Sequence, residues 1–336
     1  MKSLLYFVVV LFIFTYCTTQ NNKILIKFSG ETQGTYYVVT YYDTQGQNYQ
    51  DEIEDLLKDF DMVASMWVEN SIISKVNRNE TEVEVGEIFT ALFEISKDVN
   101  EKSGGAFDPT IGPLVNAWGF GFPDRMKVDQ HIVDSLLPYI GFDKVSLEKF
   151  EIVKSDPHIQ FDFNAIAQGY SVDLVGQFLE EKGIEDYLID IGGEVLGKGK
   201  KPNDDLWKLG IEKPTDNAEY GEGLKAIIHL QNKAMATSGN YRKFYEEDGI
   251  RYSHTINPKT GYPVQHSLLS VSVLADDCAM ADAWATAFMV SGLERSKEIL
   301  KNLKNLQAYF IYSDQSGALQ TYYTRGFEKI LIEEME

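Results

Sequence analysis

The sequence predicts a mixed α+β fold, built as two intertwined α/β lobes with no clean boundary between them. Three observations carry this. Runs rich in β-branched and aromatic residues occur beside segments whose apolar positions recur at three and four. The two kinds mix without strict βαβ alternation. No internal repeat, low-complexity tract or Pro-rich linker divides the 336 residues, a length that allows two domains or one large unit.

In chain order, Lys23–Tyr42 reads as strands interrupted near Gly30 and Gly34. A helix follows over Asp51–Trp67, where Ile53, Leu56, Leu57, Phe60, Val63 and Ala64 hold helical spacing. A second helix spans Gly86–Lys102 and is closed by Ser103, Gly104 and Gly105. The third, Ala165–Lys182, places Ile166, Tyr170, Leu174 and Phe178 on one face, with Gly183 as C-cap. Tyr187–Ile191 is a short buried strand, and Leu224–Gln231 and Leu268–Leu274 are further strands. Cys278–Ser291 is a helix with Asp276 or Asp277 as N-cap. Glu294–Leu303 is another helix, and Gln307–Tyr312 pairs with Leu319–Thr324 as a final hairpin.

Composition narrows the function. With 44% apolar and 24% charged residues, the chain is an average globular one, not disordered, collagen-like or polytopic in a membrane. It holds 31 Lys and Arg against 51 Asp and Glu, a net charge of −20. That balance argues against nucleic acid, whose phosphates select basic faces. A phosphorylated ligand would need a helix N-terminus, a metal ion or a few local side chains. The two cysteines, Cys17 and Cys278, cannot form a disulfide framework. Cys278 reads as a buried structural thiol.

Residues 1–16 read as a signal peptide: Lys2 precedes an apolar run, Leu4–Phe14, too short to span a bilayer. Residues 17–22 then form a polar tether led by Cys17. This resembles the lipidation site of a bacterial lipoprotein. The expectation is export, acylation at Cys17 and attachment to a bacterial membrane by that lipid alone, facing the periplasm. The alternative is an ordinary signal peptide or uncleaved anchor. Residues 23–336 are the folded domain.

Five stretches could carry chemistry, and each has an ordinary reading beside it. Ser103–Thr110, running on to Trp118–Gly121, is dense in glycines and aromatics. It is a surface turn with a core-filling Trp, or a ligand loop offering Phe107 and Trp118 as planar surfaces. Asp162–Tyr170 leads into the third helix, so Asp162 or Asn164 is a cap or part of an anion site. Asp190–Glu194 reads as a tight glycine turn that also lets a flat ligand approach. His254 precedes a Pro/Gly turn and suits a general base, although a lone His usually serves packing. Asp282 and Thr286 share a helix face. They offer two hard oxygens to a Mg²⁺ ion, which completes its octahedron with water and phosphate. Small residues (Ala281, Ala283, Ala285 and Ala287) leave room for a ligand there. The ordinary reading is a solvated Asp and a Thr bonded to its own backbone.

Taken together and in this order, these stretches resemble the FAD:protein FMN transferases, the thiamine-biosynthesis lipoprotein family. The resemblance covers most of residues 23–336. It runs through GETQGTY (30–36), SMWVENSIISKVN (65–77), residues 104–121, 162–173 and 190–194, TSGNY (237–241), residues 254–261 and ADAWATA (281–287). It implies two α/β lobes with the flavin nucleotide site between them. The family's reaction moves the FMN moiety of FAD onto a threonine hydroxyl of another protein, releases AMP and requires Mg²⁺. Carried onto this chain, it implies that Gln33, Trp67, Ala106, Phe107, Asp108, Asp162, Gln168 and His254 line the FAD site. The Ala165 carbonyl, Asp282 and Thr286 would hold Mg²⁺. Gln33 stands where Met is usual, Trp67 where Tyr is frequent and Gln168 where many members have Lys. His254 is the candidate to orient or deprotonate the acceptor threonine, and Asp282 is a second candidate base. The expected acceptor is a membrane-associated redox subunit. Two rivals use the same cleft: a pyrophosphatase splitting FAD to FMN and AMP, and a lipoprotein that only binds flavin.

Overall fold

The computed structural model describes residues 23–120, 128–214, 223–240, 244–247, 250–253 and 255–335. At its centre lies an eight-stranded sheet, antiparallel at every pairing. In spatial order its strands are Ile24–Thr32, Thr35–Asp43, Tyr187–Ile191, Glu194–Lys198, Lys233–Gly239, Leu268–Ala275, Gln307–Ser313 and Leu319–Tyr323. The N-terminal hairpin therefore pairs with a segment far along the chain, Tyr37 standing opposite Ile191.

Both sheet faces are covered. In the Tyr187–Ile191 strand, Tyr187, Ile189 and Ile191 pack with Ile53, Leu57, Val172 and Leu179 of the helices. Leu188 points the other way, toward Trp207 and Ile228. Likewise Phe310 enters the helix-side core with Trp284 and Phe288, while Tyr309 and Ile311 face the second side. That second side is closed by a three-stranded sheet of Leu331–Glu334, Leu224–Leu230 and Trp207–Glu212. Each fully buried aromatic or aliphatic side chain of this kind contributes about 1.5–3 kcal/mol.

Four helices form the layer on the first side: Gln50–Ala64, Gly86–Ser103, Ala167–Glu181 and Cys278–Leu300. Their existence follows the periodicity; their ends differ. The first stops at Ala64, so Trp67 lies outside it. The second ends at Gly104, whose φ of 68° is the left-handed C-cap that glycine adopts at little steric cost. The third begins at Ala167 and not Ala165, because the turn after Asp162 uses residues 163–166. The last consists of two helical stretches that meet at Gly292 (φ 73°, ψ 169°), the break falling where the sequence divides Cys278–Ser291 from the helix that begins at Glu294.

Two further expectations are corrected, and the ordinary reading of Trp118 holds. Gly30 does not interrupt a strand. It lies within Ile24–Thr32, where a Cβ would stand 2.6 Å from the Tyr37 ring; the turn belongs to Gln33 (φ 51°) and Gly34 (φ 73°). Trp118 is the core-filling residue, packed with Leu114, Val133 and Ile256 and donating its Nε1–H to the Gly261 carbonyl at 2.8 Å. Neither Asp276 nor Asp277 caps the last long helix through its side chain. Asp277 has the N-cap position but makes no capping bond, and Asp276 pairs with Lys233. The cap is Asp173, from the 167–181 helix: its Oδ1 accepts from Cys278 N–H and its Oδ2 from Ala279 N–H, each at 2.8 Å. Among the described residues, no helix is long and apolar enough to cross a membrane. Residues 1–22, with Cys17, lie outside them. Cys278 is fully buried.

Candidate active site

One cleft of about 560 Å³ is lined jointly by Gln33, Trp67, Ala106, Phe107, Asp108, Asp162, Ala165, Gln168, Asp282 and Thr286. These are all the site residues expected from sequence that fall among the described ones. His254 lies outside them, and its chain neighbours Thr255 and Ile256 line the cleft.

Local structure explains each placement. Phe161 and Phe163 are buried in an aromatic cluster with Phe89. In an extended segment the residue between two such anchors points the opposite way, which turns Asp162 to the cleft. Asp162 is 6% exposed, and its Oδ1 accepts Asn164 N–H at 2.8 Å. Asp108 is committed to its own loop: Oδ1 accepts from the Thr110 N–H and hydroxyl, Oδ2 from Phe142 N–H. Phe107 is buried, its carbonyl taken by Asn100 Nδ2–H. Trp67 is 60% exposed. The Gln168 amide donates to the Ile191 carbonyl at 2.7 Å and to Glu194 Oε2 at 2.6 Å, pinning the glycine turn. Gln33 Nε2 is shut off from solvent with no partner among the described residues, a donor suited to an acceptor atom on a ligand.

Asp282 is not the solvated residue of the ordinary reading. It is 7% exposed, and its Oδ2 accepts Gly169 N–H at 3.1 Å. Thr286 Oγ1 lies 3.2 Å from Ser238 Oγ. The two helices can meet here only because residue 169 is glycine. A Cβ would stand 2.4 Å from the Cys278 carbonyl oxygen and 2.8 Å from Asp282 Cβ. Gly169→Ala is therefore expected to cost about 1–3 kcal/mol by overpacking and to lower turnover by pushing Asp282 out of place. A thermal melt unchanged from wild type would refute the contact.

The electrostatics are one-sided. Among the described lining residues are Asp108, Asp162, Asp190, Glu194, Glu212 and Asp282, and no Lys, Arg or His. Burial pushes Asp162 up to about 6. Burial, with Asp173 nearby, pushes Asp282 up to about 7, and burial also raises Asp190. A phosphate entering this cleft meets buried carboxyl groups and, among the described lining residues, no basic side chain. No cluster of three or more His, Cys, Asp or Glu side chains converges among the described residues. An ion here would take the Asp282 carboxylate, the Thr286 hydroxyl and the Ala165 carbonyl, leaving further positions to ligand oxygens.

Sequence reading missed the Leu209–Glu212 stretch, which lines the cleft from an edge strand of the small sheet. It carries no motif; only the apolar alternation of Leu209 and Ile211 could have marked it as a strand. Met235 is a second such residue.

Comparison with known proteins gives a consistent picture. The model of the ApbE family matches residues 33–310. A Haemophilus influenzae protein named FAD:protein FMN transferase is 36% identical over 326 residues, covering 93% of each chain. A Vibrio cholerae protein of the same name is 35% identical over 284 residues, 82% of this chain and 84% of its own. The structure of the flavin transferase ApbE from Vibrio cholerae superposes with a TM-score of 0.83 at 31% identity, over 92% of this chain and all of that one. The apo flavinyl transferase ApbE of Pseudomonas stutzeri gives 0.82 at 30% identity, over 92% and 97%.

Proposed function

The chain belongs to the ApbE family, and from that premise we propose how it works as an enzyme that transfers FMN from FAD to a protein. The acceptor group is a threonine hydroxyl, and the reaction depends on Mg²⁺. The observation that carries the metal is the cleft's charge: its described lining offers acids and no base, yet the donor substrate is a diphosphate.

Asp282, Thr286 and the Ala165 carbonyl would hold the ion. Once bound, Mg²⁺ supplies neutralisation of the diphosphate and polarisation of the phosphorus under attack. The protein's own contribution is mainly positioning. Phe107 and Trp67 supply aromatic surface for the ring systems. Asp162, with one oxygen committed to Asn164, has the other to accept a ligand hydroxyl or amine. Gly169 N–H holds the Asp282 carboxylate in one orientation. The threonine oxygen attacks the FMN-side phosphorus, the P–O–P bond breaks, and AMP leaves carrying the bridging oxygen. His254 takes the threonine proton; Asp282, committed to the metal, is the poorer base.

The test is incubation of the protein with FAD, Mg²⁺ and a candidate acceptor, followed by in-gel flavin fluorescence. A fluorescent acceptor band and stoichiometric AMP are expected. AMP and FMN without a fluorescent band would make the enzyme a pyrophosphatase; flavin binding without AMP would make it a binding protein. Calorimetry should also show FAD bound more tightly than riboflavin, because the adenosine half adds contacts.

Export and lipidation at Cys17 complete the reading. They are supported by the Leu4–Phe14 run and the polar tether after it, and they would bring the enzyme to a membrane-associated redox subunit on the periplasmic face. Cys17→Ser is expected to release the protein from the membrane fraction. A variant still membrane-bound and unprocessed would mean an ordinary anchor.

A further inference from the structure

We propose that Asp173 is a positioning residue for the metal site, acting by fixing the helix that carries Asp282 and Thr286; this rests on the reading of those two residues as metal ligands.

The 278–300 helix does not cap itself, since Asp277 makes no side-chain bond at the N-cap. Both oxygens of Asp173 are spent on it instead, one on Cys278 N–H and one on Ala279 N–H, each at 2.8 Å. Residue 173 stands one turn after Gly169 on the neighbouring helix, and Gly169 N–H binds Asp282 Oδ2. One helix thus grips the other twice on the same face, at its first turn and at the metal carboxylate. Cys278, Asp282 and Thr286 are spaced by four, so they share that face. A shift of one residue along the axis would carry Asp282 and Thr286 by about 1.5 Å, and displacements near 1 Å can cost about a hundredfold in rate. The bidentate cap also opposes rotation, which a single acceptor would not. Asp173 does not line the cleft, so its effect must pass through the helix.

The test compares Asp173→Ala, the isosteric Asp173→Asn and Ser296→Ala. The last is a control beyond the Gly292 break, in the helical stretch that follows the one carrying Asp282, where the Ser296 hydroxyl donates to the Gly292 carbonyl at 2.7 Å. Mn²⁺ serves as the probe, titrated into full-length protein with FAD, with bound ion read from the loss of the free-ion EPR signal. Turnover is followed against Mg²⁺ concentration. Wild type and Ser296→Ala should bind Mn²⁺ alike, even where Ser296→Ala melts lower. Asp173→Ala should bind at least tenfold more weakly. Asp173→Asn keeps one acceptor oxygen and should fall between, with a raised Mg²⁺ half-saturation and a kcat that recovers at high Mg²⁺. Melts lowered in both Asp173 variants with unchanged Mn²⁺ binding would reduce the residue to a structural cap and overturn the proposal. No Mn²⁺ binding by wild type would instead overturn the metal site itself, and this inference with it.

Discussion

Asp282→Ala is expected to abolish flavin transfer and FAD cleavage together while leaving a folded protein. The carboxylate is the only charged member of the proposed ligand set, and the cleft's described lining has no basic side chain to replace the ion it would hold. Loss of several kcal/mol of transition-state stabilisation from a bound metal corresponds to at least about a thousandfold in rate. The fold should persist because the buried Asp282 carboxylate is itself a burden in the metal-free protein, pushed up to about 7 chiefly by burial. Asp282→Asn keeps an oxygen for Gly169 N–H and should melt no lower than wild type at pH 8 without metal. Thr286→Val should be milder, about tenfold, because water can take the place of a hydroxyl ligand. The measurements are turnover at saturating FAD and Mg²⁺ and a melt of each variant. Normal turnover by Asp282→Ala without added metal would remove Mg²⁺ from the mechanism.

In EDTA, the protein is expected to lose stability as pH rises from about 4 to about 7, the reverse of ordinary acid denaturation. The sign follows from which state holds more protons. Asp162 is pushed up to about 6, and Asp173 and Asp282 to about 7, in each case chiefly by burial. The unfolded chain releases these protons near pH 3.9. Below that value both states are protonated and the stability is fully present. Above it the unfolded state ionises first and is favoured, until the folded carboxyls ionise too. One unit of displacement is worth about 1.4 kcal/mol, so the three together reach several kcal/mol. Exposed carboxylates held low by neighbours, such as Asp314 and Glu298, slope the other way, but water screens them. Mg²⁺ favours ionised Asp282, so its addition should raise the melting temperature more at pH 8 than at pH 5. Asp282→Asn should flatten both dependences. A melting temperature in EDTA that rises from pH 5 to 7.5 would contradict the burial of these acids without a cation.

Much of the site was legible in the sequence. Asp282 and Thr286 are four apart, and a helix puts such residues on one face wherever it lies. Asp162 sits before a helical run, and the glycine turns at 104–105 and 192–193 have the chemistry their backbone requires. The ordered motifs, read as a family resemblance, gathered ten residues that one cleft brings together. The burial of Asp282 was not legible, because Ala281, Ala283 and Ala285 beside it read equally well as an open face or as a close helix contact. The contact was decided by Gly169, more than a hundred residues away.

Local pattern also marked the long helices and most of the strands, since these depend on neighbours two, three or four residues apart, but it did not mark Glu194–Lys198 or Lys233–Gly239 of the central sheet. Tertiary structure alone decided what those segments meet. It set the pairing of Tyr37 with Ile191 and the small sheet that closes the second face. It brought the Leu209–Glu212 edge to the cleft, and it chose Asp173 over Asp277 as the cap of the metal-site helix. The reason is physical. An N–H at a helix start needs an acceptor but does not specify where in the chain it comes from, and a carboxylate already held on a packed neighbour loses little freedom in serving.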